Sequence, residues 1–198
     1  MSNTMHYLEP NELKKLLDIA ANSKRNTAMI LLSYRHGLRA SELCGLALGD
    51  VDEANERLII TARKTRRKGG TKFYECFRPK DDIGPSDLAA IHSWLKERKE
   101  YPDAETSPAL FLSRKGGPIL AHSWTIAFKN LALEAGLPST LAHPHVLRHS
   151  TAMRAVDSGI HLHLVSGMLR HASLASLTPY TSPSQAAIDA AAVKAFSR

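Results

Sequence analysis

A dense run of chemically active side chains, HPHVLRHSTA, occupies residues 143–152. His145 and Arg148 lie three positions apart, so on a helix their side chains share one face and can converge on one ligand. An arginine fork suits phosphate oxygens, and histidine exchanges a proton near neutral pH. The run therefore predicts a clamp for an anionic group.

A zinc site is the alternative interpretation of the same run. His145 and His149 have the i, i+4 spacing of the HExxH metalloprotease motif. However, Val146 stands where that motif has its glutamate, and Arg148 inside the cluster would repel a divalent cation. The residue types favour the anion clamp, while the spacing alone leaves both interpretations open.

The positive charge of the chain is concentrated in one segment. The 198 residues carry a formal net charge of +7, and between Arg63 and Lys80 eight basic residues stand against one acidic residue, Glu75. Such a concentration is typical of a surface that binds a polyanion, and a solvated basic hairpin is the simpler alternative.

The cysteine content and the hydropathy pattern indicate in which cellular compartment the protein is expected. Two cysteines, Cys44 and Cys76, form no CxxC pair, which favours a reducing compartment. No apolar run approaches the roughly 18 residues of a membrane span, and the N-terminus lacks an apolar signal core. We expect a cytoplasmic protein that does not enter a membrane.

Local patterns predict the elements that must position these residues. One amphipathic helix begins near Pro10, and a second begins near Arg25 and is closed by Gly37. A third, short helix is predicted in ASELCGL, so Arg39 lies at a tight junction between two helices.

The basic segment has a different pattern. Two β-rich runs, from Leu58 to Ala62 and in KFYECF, flank the turn RKTRRKGG and predict an antiparallel hairpin. Further helices are predicted from Pro85 and at about 122–135, 144–158 and 160–170. The predicted fold is mostly α with a small antiparallel β-sheet or hairpin, an α+β class.

The order of the motifs resembles the catalytic domain of the tyrosine recombinase (phage integrase) family. GLRASEL, a basic hairpin, HVLRH and LRHASLASLTPY follow one another along the chain, and a tyrosine lies nine positions after the last histidine, as in the family pattern. Six residues of this chain occupy the catalytic positions of that pattern: Arg39, Lys64, His145, Arg148, His171 and Tyr180.

The resemblance implies a site-specific DNA recombinase without a metal or other cofactor. Tyr180 would attack a phosphodiester and form a 3′-phosphotyrosine linkage, and Arg39 and Arg148 would hold the nonbridging oxygens. Lys64 would protonate the departing 5′-hydroxyl, with Lys68 as the alternative lysine. His145 would assist proton transfer, and His171 would donate a hydrogen bond to the phosphate.

The implied partner is double-stranded DNA, bound by a homo-oligomer of two to four protomers together with accessory DNA-bending proteins. Six basic residues are predicted to contact that DNA: Arg63, Arg66, Arg67, Lys68, Lys72 and Arg170. Arg170 replaces the glycine of the family's LGH motif, and Pro179 directly precedes the expected nucleophile. These two departures support an alternative function, a catalytically idle DNA-binding regulator on the same fold.

The domain organisation is predicted from the same resemblance. Residues 1–183 would form one catalytic domain that lacks the family's usual N-terminal core-binding domain, as in the short recombinases that invert fimbrial promoter switches. Residues 184–198 have apolar side chains at helical spacing. This C-terminal helix would either pack on its own domain or be exchanged with a neighbouring protomer.

Overall fold

A computed structural model describes residues 6–62 and 70–170. Within these ranges the chain forms seven α-helices and one three-stranded antiparallel sheet, which confirms the predicted class. The helices are α1 (Pro10–Ala20), α2 (Lys24–His36), α3 (Ala40–Cys44), α4 (Asp87–Arg98), α5 (Ala121–Glu134), α6 (His145–Asp157) and α7 (Leu162–Met168). The strands are β1 (Val51–Asp52), β2 (Arg57–Ala62) and β3 (Thr71–Cys76).

Helix α2 begins and ends where the local sequence places it. The Ser23 hydroxyl accepts a hydrogen bond from the backbone N–H of Asn26 at 3.3 Å and caps the first turn. At the other end Gly37 has φ +56°, a left-handed conformation that glycine adopts at low cost. The chain therefore turns sharply after His36 and enters α3 within a few residues.

Helix α2 is also the centre of the packing. It contacts α1, α4 and α6, and its residues from Ala28 to His36 are all buried. A helix surrounded in this way needs apolar residues on more than one face, which the run AMILL supplies. Because α2 is held on several sides, the loop at its C-terminal end has a fixed position against α6.

The sheet places β2 between β1 and β3. Leu58 and Ile60 of β2 are fully buried in the core and are paired with Glu75 and Phe73 of β3. The predicted hairpin is confirmed in its two strands, whereas the two-residue strand β1 was not predicted because so short a segment shows no periodicity.

A smaller apolar cluster joins α6 to α7. Ala152 and Ala155 of α6 pack with Val165 of α7 and with Leu169, which follows the helix. This contact brings the turn after α7 close to the end of α2, because a Cβ atom built on Gly37 would lie 2.5 Å from Leu169 Cδ2. In residues 6–62 and 70–170 no helix has the length and apolar character that a membrane span requires.

Candidate active site

Four segments of the chain meet at the candidate site. These are the end of α2, the start of α3, the first turns of α6 and the turn after α7. Each segment contributes at least one charged group or one backbone carbonyl to a network of hydrogen bonds. Arg148 is one of the buried members of this network.

Arg148 lies on the buried face of α6 with only 2% of its surface exposed. Its guanidinium donates through Nη1 to the carbonyl oxygen of Gly37 and through Nη2 to that of Leu169. Nη1 also lies 3.9 Å from the Glu42 carboxylate. Two neutral carbonyls thus fix the orientation of the guanidinium, and one carboxylate partly offsets its charge.

Arg39 is the residue that precedes α3, and its side chain is 40% exposed. Its Nη1 donates to Glu42 Oε1 at 2.6 Å, and its backbone N–H donates to Glu42 Oε2 at 3.0 Å. The backbone bond is one half of a capping box, with the glutamate at the third helical position. The sequence GLRASEL therefore holds a half-exposed arginine rigidly at the helix start.

Glu42 is the carboxylate that Arg39 and Arg148 have in common. It is 6% exposed, and burial alone would raise the pKa of its carboxyl group. The backbone hydrogen bond from Arg39 and the charges of Arg170 and Arg39 outweigh burial, so the pKa of Glu42 is lowered. Glu42 therefore stays ionised and allows several arginines to lie close together.

His145 is the first residue of α6 and is exposed. Partial burial of its ring and the charges of Arg148, His143 and Arg39 lower the pKa of His145. At neutral pH the imidazole is therefore neutral and can accept a proton. Its ring meets that of His149 edge-on, with centroids 4.4 Å apart.

Arg170 is placed differently from the prediction that it contacts DNA. Its side chain has no exposed surface, and its backbone has φ +53° in the turn after α7. Nη1 donates to Glu75 Oε1, and Nη2 donates to Glu42 Oε2 at 3.2 Å. These carboxylates hold the guanidinium in the interior of the described residues, which argues against the DNA contact predicted for Arg170.

Glu75 connects the hairpin to the helical core. Its Oε2 lies 2.8 Å from Nδ1 of His36, whose Nε2 lies 2.8 Å from Asp87 Oδ2 at the start of α4. Burial of the His36 ring opposes its positive charge, but hydrogen bonds to Asp87 and Glu75 outweigh burial and raise the pKa of His36. The chain of alternating charges therefore runs from α4 through α2 and β3 to Arg170.

The arrangement supplies cationic hydrogen-bond donors rather than ligands for a cation. Arg39, Arg148 and Arg170 outnumber Glu42 and Glu75, the two carboxylates that they contact. In the described part of the chain no group of three or more His, Cys, Asp or Glu side chains could hold a metal ion. The chemistry available to these residues is the binding and stabilisation of an anion.

Comparison with known proteins agrees with this chemistry. The Phage integrase family matches residues 6–186, which is most of the chain.

The protein belongs to the phage integrase family.

Two curated relatives and one solved structure illustrate the similarity. The integrase-family chain is 32% identical over 179 residues to the type 1 fimbriae regulatory protein FimB of Escherichia coli strain K12, covering 90% of this chain and 84% of FimB. It is 32% identical over 181 residues to the tyrosine recombinase XerC of Alcanivorax borkumensis, covering 88% of this chain and 54% of XerC.

The solved structure is that of the XerH site-specific recombinase bound to its difH substrate. The TM-score is 0.73 at 24% identity, and the match covers 96% of this chain and 54% of XerH. The fold is thus that of a tyrosine recombinase catalytic domain. The family membership inferred from the sequence is confirmed. The enzyme class predicted from it, a tyrosine-type site-specific recombinase, is confirmed as well.

The structure brings together three of the six predicted catalytic residues of this integrase. Arg39 and Arg148 meet at Glu42, and His145 lies one helical turn from Arg148. The other three, Lys64, His171 and Tyr180, lie outside the described residues.

Some of the predicted DNA contacts of this integrase also lie within the described residues and others lie outside them. Lys72 is an exposed residue of β3, paired with Thr61 of β2, and remains a predicted contact. Four further predicted contacts lie outside the described residues: Arg63, Arg66, Arg67 and Lys68. The predicted C-terminal helix at 184–198 also lies outside them.

Sequence reasoning missed the roles of His36 and Glu75. Glu75 is the single acidic residue in a strongly basic segment, and that isolation is the signal that could have indicated a partly buried ion-pair partner. His36 directly precedes the GLRASEL motif but is not one of the six positions of the family pattern. Its two carboxylate partners are 39 and 51 residues away, so no local pattern indicates the network.

Proposed function

We propose that this protein cleaves and rejoins double-stranded DNA at a specific site through a covalent 3′-phosphotyrosine intermediate on Tyr180. The observation that carries the proposal is the pairing of Arg39 and Arg148 around Glu42. Two arginines from segments more than a hundred residues apart in the sequence are held with their charges close together. Glu42 offsets part of their repulsion, and the positive charge that remains favours a bound anion.

The phosphate would meet Arg39 first, because that guanidinium is the half-exposed member of the pair. Arg148 would add the positive charge of a buried, preorganised group, which needs little reorganisation as negative charge develops on the nonbridging oxygens. Attack by the Tyr180 oxygen on phosphorus would break the bond to the 5′-oxygen and leave a 3′-phosphotyrosine.

Two proton transfers accompany this step. The hydroxyl of Tyr180 ordinarily titrates near pH 10. The neutral His145 would take its proton as the new bond to phosphorus forms. Lys64 would donate a proton to the departing 5′-oxygen. The reverse reaction uses the same groups, so the strand is resealed without a nucleotide cofactor.

The solved relative supports DNA as the partner, since XerH was crystallised with its difH substrate. We extend this to double-stranded DNA bound by an oligomer of this chain, with residues 184–198 as the exchanged helix. Deletion of residues 184–198 should then lower assembly on DNA more than it lowers strand cleavage. Equal loss of both would favour a helix that packs on its own domain.

The test is covalent trapping. The protein is mixed with supercoiled plasmid carrying the DNA that flanks its own gene and is then denatured with detergent. We expect a protein–DNA adduct with the wild type and none with Tyr180→Phe, which retains the ring and lacks the nucleophile. An adduct that persists in Tyr180→Phe would overturn the assignment of the nucleophile. Specific binding without any adduct would indicate the idle regulator.

A further inference from the structure

Arg170 combines two features that are each unfavourable in a folded protein. Its backbone occupies the left-handed region at φ +53°, and its guanidinium is buried without exposed surface. A non-glycine residue in that region and a buried charge each require compensation from the surrounding structure. The compensation here is a set of contacts that join two parts of the fold.

One side of the guanidinium contacts the hairpin. Nη1 donates to Glu75 Oε1 on β3 and, at 3.0 Å, to the carbonyl of Met168. Glu75 is fixed in turn by His36 at 2.8 Å, so its carboxylate cannot follow the arginine freely. β3 is the second strand of the hairpin, and its other end leads back to the segment that contains Lys64.

The other side of the guanidinium contacts the arginine pair. Nη2 donates to Glu42 Oε2 at 3.2 Å, the oxygen that also accepts from the backbone N–H of Arg39. It further donates to the carbonyl of Gly37 at 3.2 Å, which Arg148 also uses. The second carbonyl bound by Arg148 belongs to Leu169, the residue before Arg170. The two carbonyls that orient Arg148 are therefore one that Arg170 also binds and one that belongs to the residue before Arg170.

We propose that Arg170 is a positioning residue that couples the docking of the hairpin to the orientation of Arg39 and Arg148. The path is Glu75 to Arg170 to Glu42, with the carbonyl of Gly37 as a second connection to Arg148. Glu75 is held by His36 and by the pairing of β3 with β2, and the guanidinium of Arg170 then holds Glu42 and Gly37 where the two arginines bind phosphate. The inference rests on the proposed function and adds a residue that itself touches no substrate.

The principal variant is Arg170→Gly. Glycine adopts a positive φ without strain, so this change removes the guanidinium and relieves the backbone at the same time. Arg170→Lys is the second variant, because one ammonium retains the charge but cannot bridge two carboxylates as a planar fork does. The matched control is Arg78→Gln, which removes a 3.5 Å partner of the same Glu75 carboxylate from a side chain that is 36% exposed.

Two quantities are measured for each folded variant, the single-turnover rate of adduct formation and the DNA dissociation constant from gel shift. For Arg170→Gly we expect the rate to fall about 10- to 100-fold, as is common when reacting groups are misplaced, with little change in affinity. Arg170→Lys should fall between the wild type and Arg170→Gly. Arg78→Gln should cleave at nearly the wild-type rate.

A double-mutant comparison tests the path itself. Glu75→Gln should slow cleavage on its own, yet add little in the Arg170→Gly background, because both changes break the same connection. Fully additive losses would contradict the coupling, as would loss of affinity with an unchanged rate. If the wild type forms no adduct, the proposed function fails; if it does and both Arg170 variants match it, only the role of Arg170 fails.

Discussion

Arg148 and Arg170 donate to the same acceptor, the carbonyl oxygen of Gly37 at the end of α2. They also lie against the same carboxylate, that of Glu42, at 3.9 and 3.2 Å. A helix-closing glycine and a helix-capping glutamate, both ordinary structural residues, are therefore the shared supports of the arginines in this site. The consequences can be tested at each support separately.

Gly37→Ala should damage both stability and cleavage. Alanine at φ +56° is strained, and its Cβ would lie 2.5 Å from Leu169 Cδ2, which must move. Strain of this kind costs about 1–2 kcal/mol of the free energy of unfolding. The displacement also shifts the Leu169 carbonyl that holds Arg148. Urea unfolding and the single-turnover rate of adduct formation measure the two effects.

Gly136→Ala is the matched control for that prediction. Gly136 also follows a helix and has φ +74°, but no heavy atom lies within 4 Å of the Cβ that alanine would add. This variant should lose only the backbone contribution to stability and should cleave normally. Equal losses of cleavage in the two variants would contradict a specific role for Gly37.

Glu42→Gln should destabilise the fold by about 3 kcal/mol, since removal of one partner leaves buried cations uncompensated. Because the pKa of Glu42 is lowered in the folded protein, its stabilisation is present above the ordinary carboxyl pKa and is lost as pH falls through the folded value. Urea unfolding of the wild type and variant between pH 7 and pH 3 measures this, and their difference should shrink toward acid pH.

Glu12→Gln provides the comparison for Glu42→Gln. Glu12 makes the same kind of capping hydrogen bond in α1, where its carboxylate accepts from the Glu9 backbone N–H at 2.9 Å in an exposed position. It contacts no arginine among the hydrogen bonds and ion pairs of the described residues. Glutamine can still accept this hydrogen bond, so the variant should lose only the favourable carboxylate charge near the helix start, about 0.3–1 kcal/mol, with no change in cleavage. A comparable loss in both variants would mean that Glu42 acts only as a cap.

The rate of cleavage should depend on the protonation of His145. Its pKa is lowered, so the ring is neutral and competent as a base at pH 7 and becomes protonated only below its ordinary value near 6.5. We expect the single-turnover rate to be level around neutral pH and to fall toward pH 5. His145→Gln should be slower and should lose this acid limb. An unchanged acid limb in the variant would assign the titration to another group.

His36 should make the free energy of unfolding fall as pH rises, which is opposite to the effect of Glu42. Its pKa is raised by Asp87 and Glu75, so its contribution is fully present below about pH 6.5 and is lost as pH rises through the folded pKa. The slope in the free energy of unfolding is at most about 1.4 kcal/mol per pH unit for one proton. Urea unfolding from pH 6 to pH 9 should show this decline in the wild type and a flatter profile in His36→Gln.

Local sequence patterns predicted the helices because their causes are local. The apolar face of α1 and the left-handed Gly37 after α2 depend on residues within a few positions of each other. The meeting of Arg39 with Arg148 depends on tertiary packing, and only the order of motifs in a known family indicated it. The contact of Arg170 with Glu75 spans 95 residues and belongs to no motif. The DNA contact expected of Arg170 followed from charge alone, which does not reveal burial.

The polarity of the broken strand tests the central claim most directly. Plasmid cleaved by the wild type is trapped with detergent, and its ends are labelled with polynucleotide kinase with and without phosphatase treatment. Attack by Tyr180 predicts a 5′-hydroxyl that accepts label without phosphatase, together with a tryptic peptide carrying nucleotide on Tyr180. Ends that require phosphatase, or a free 3′-hydroxyl, would contradict the 3′-phosphotyrosine mechanism.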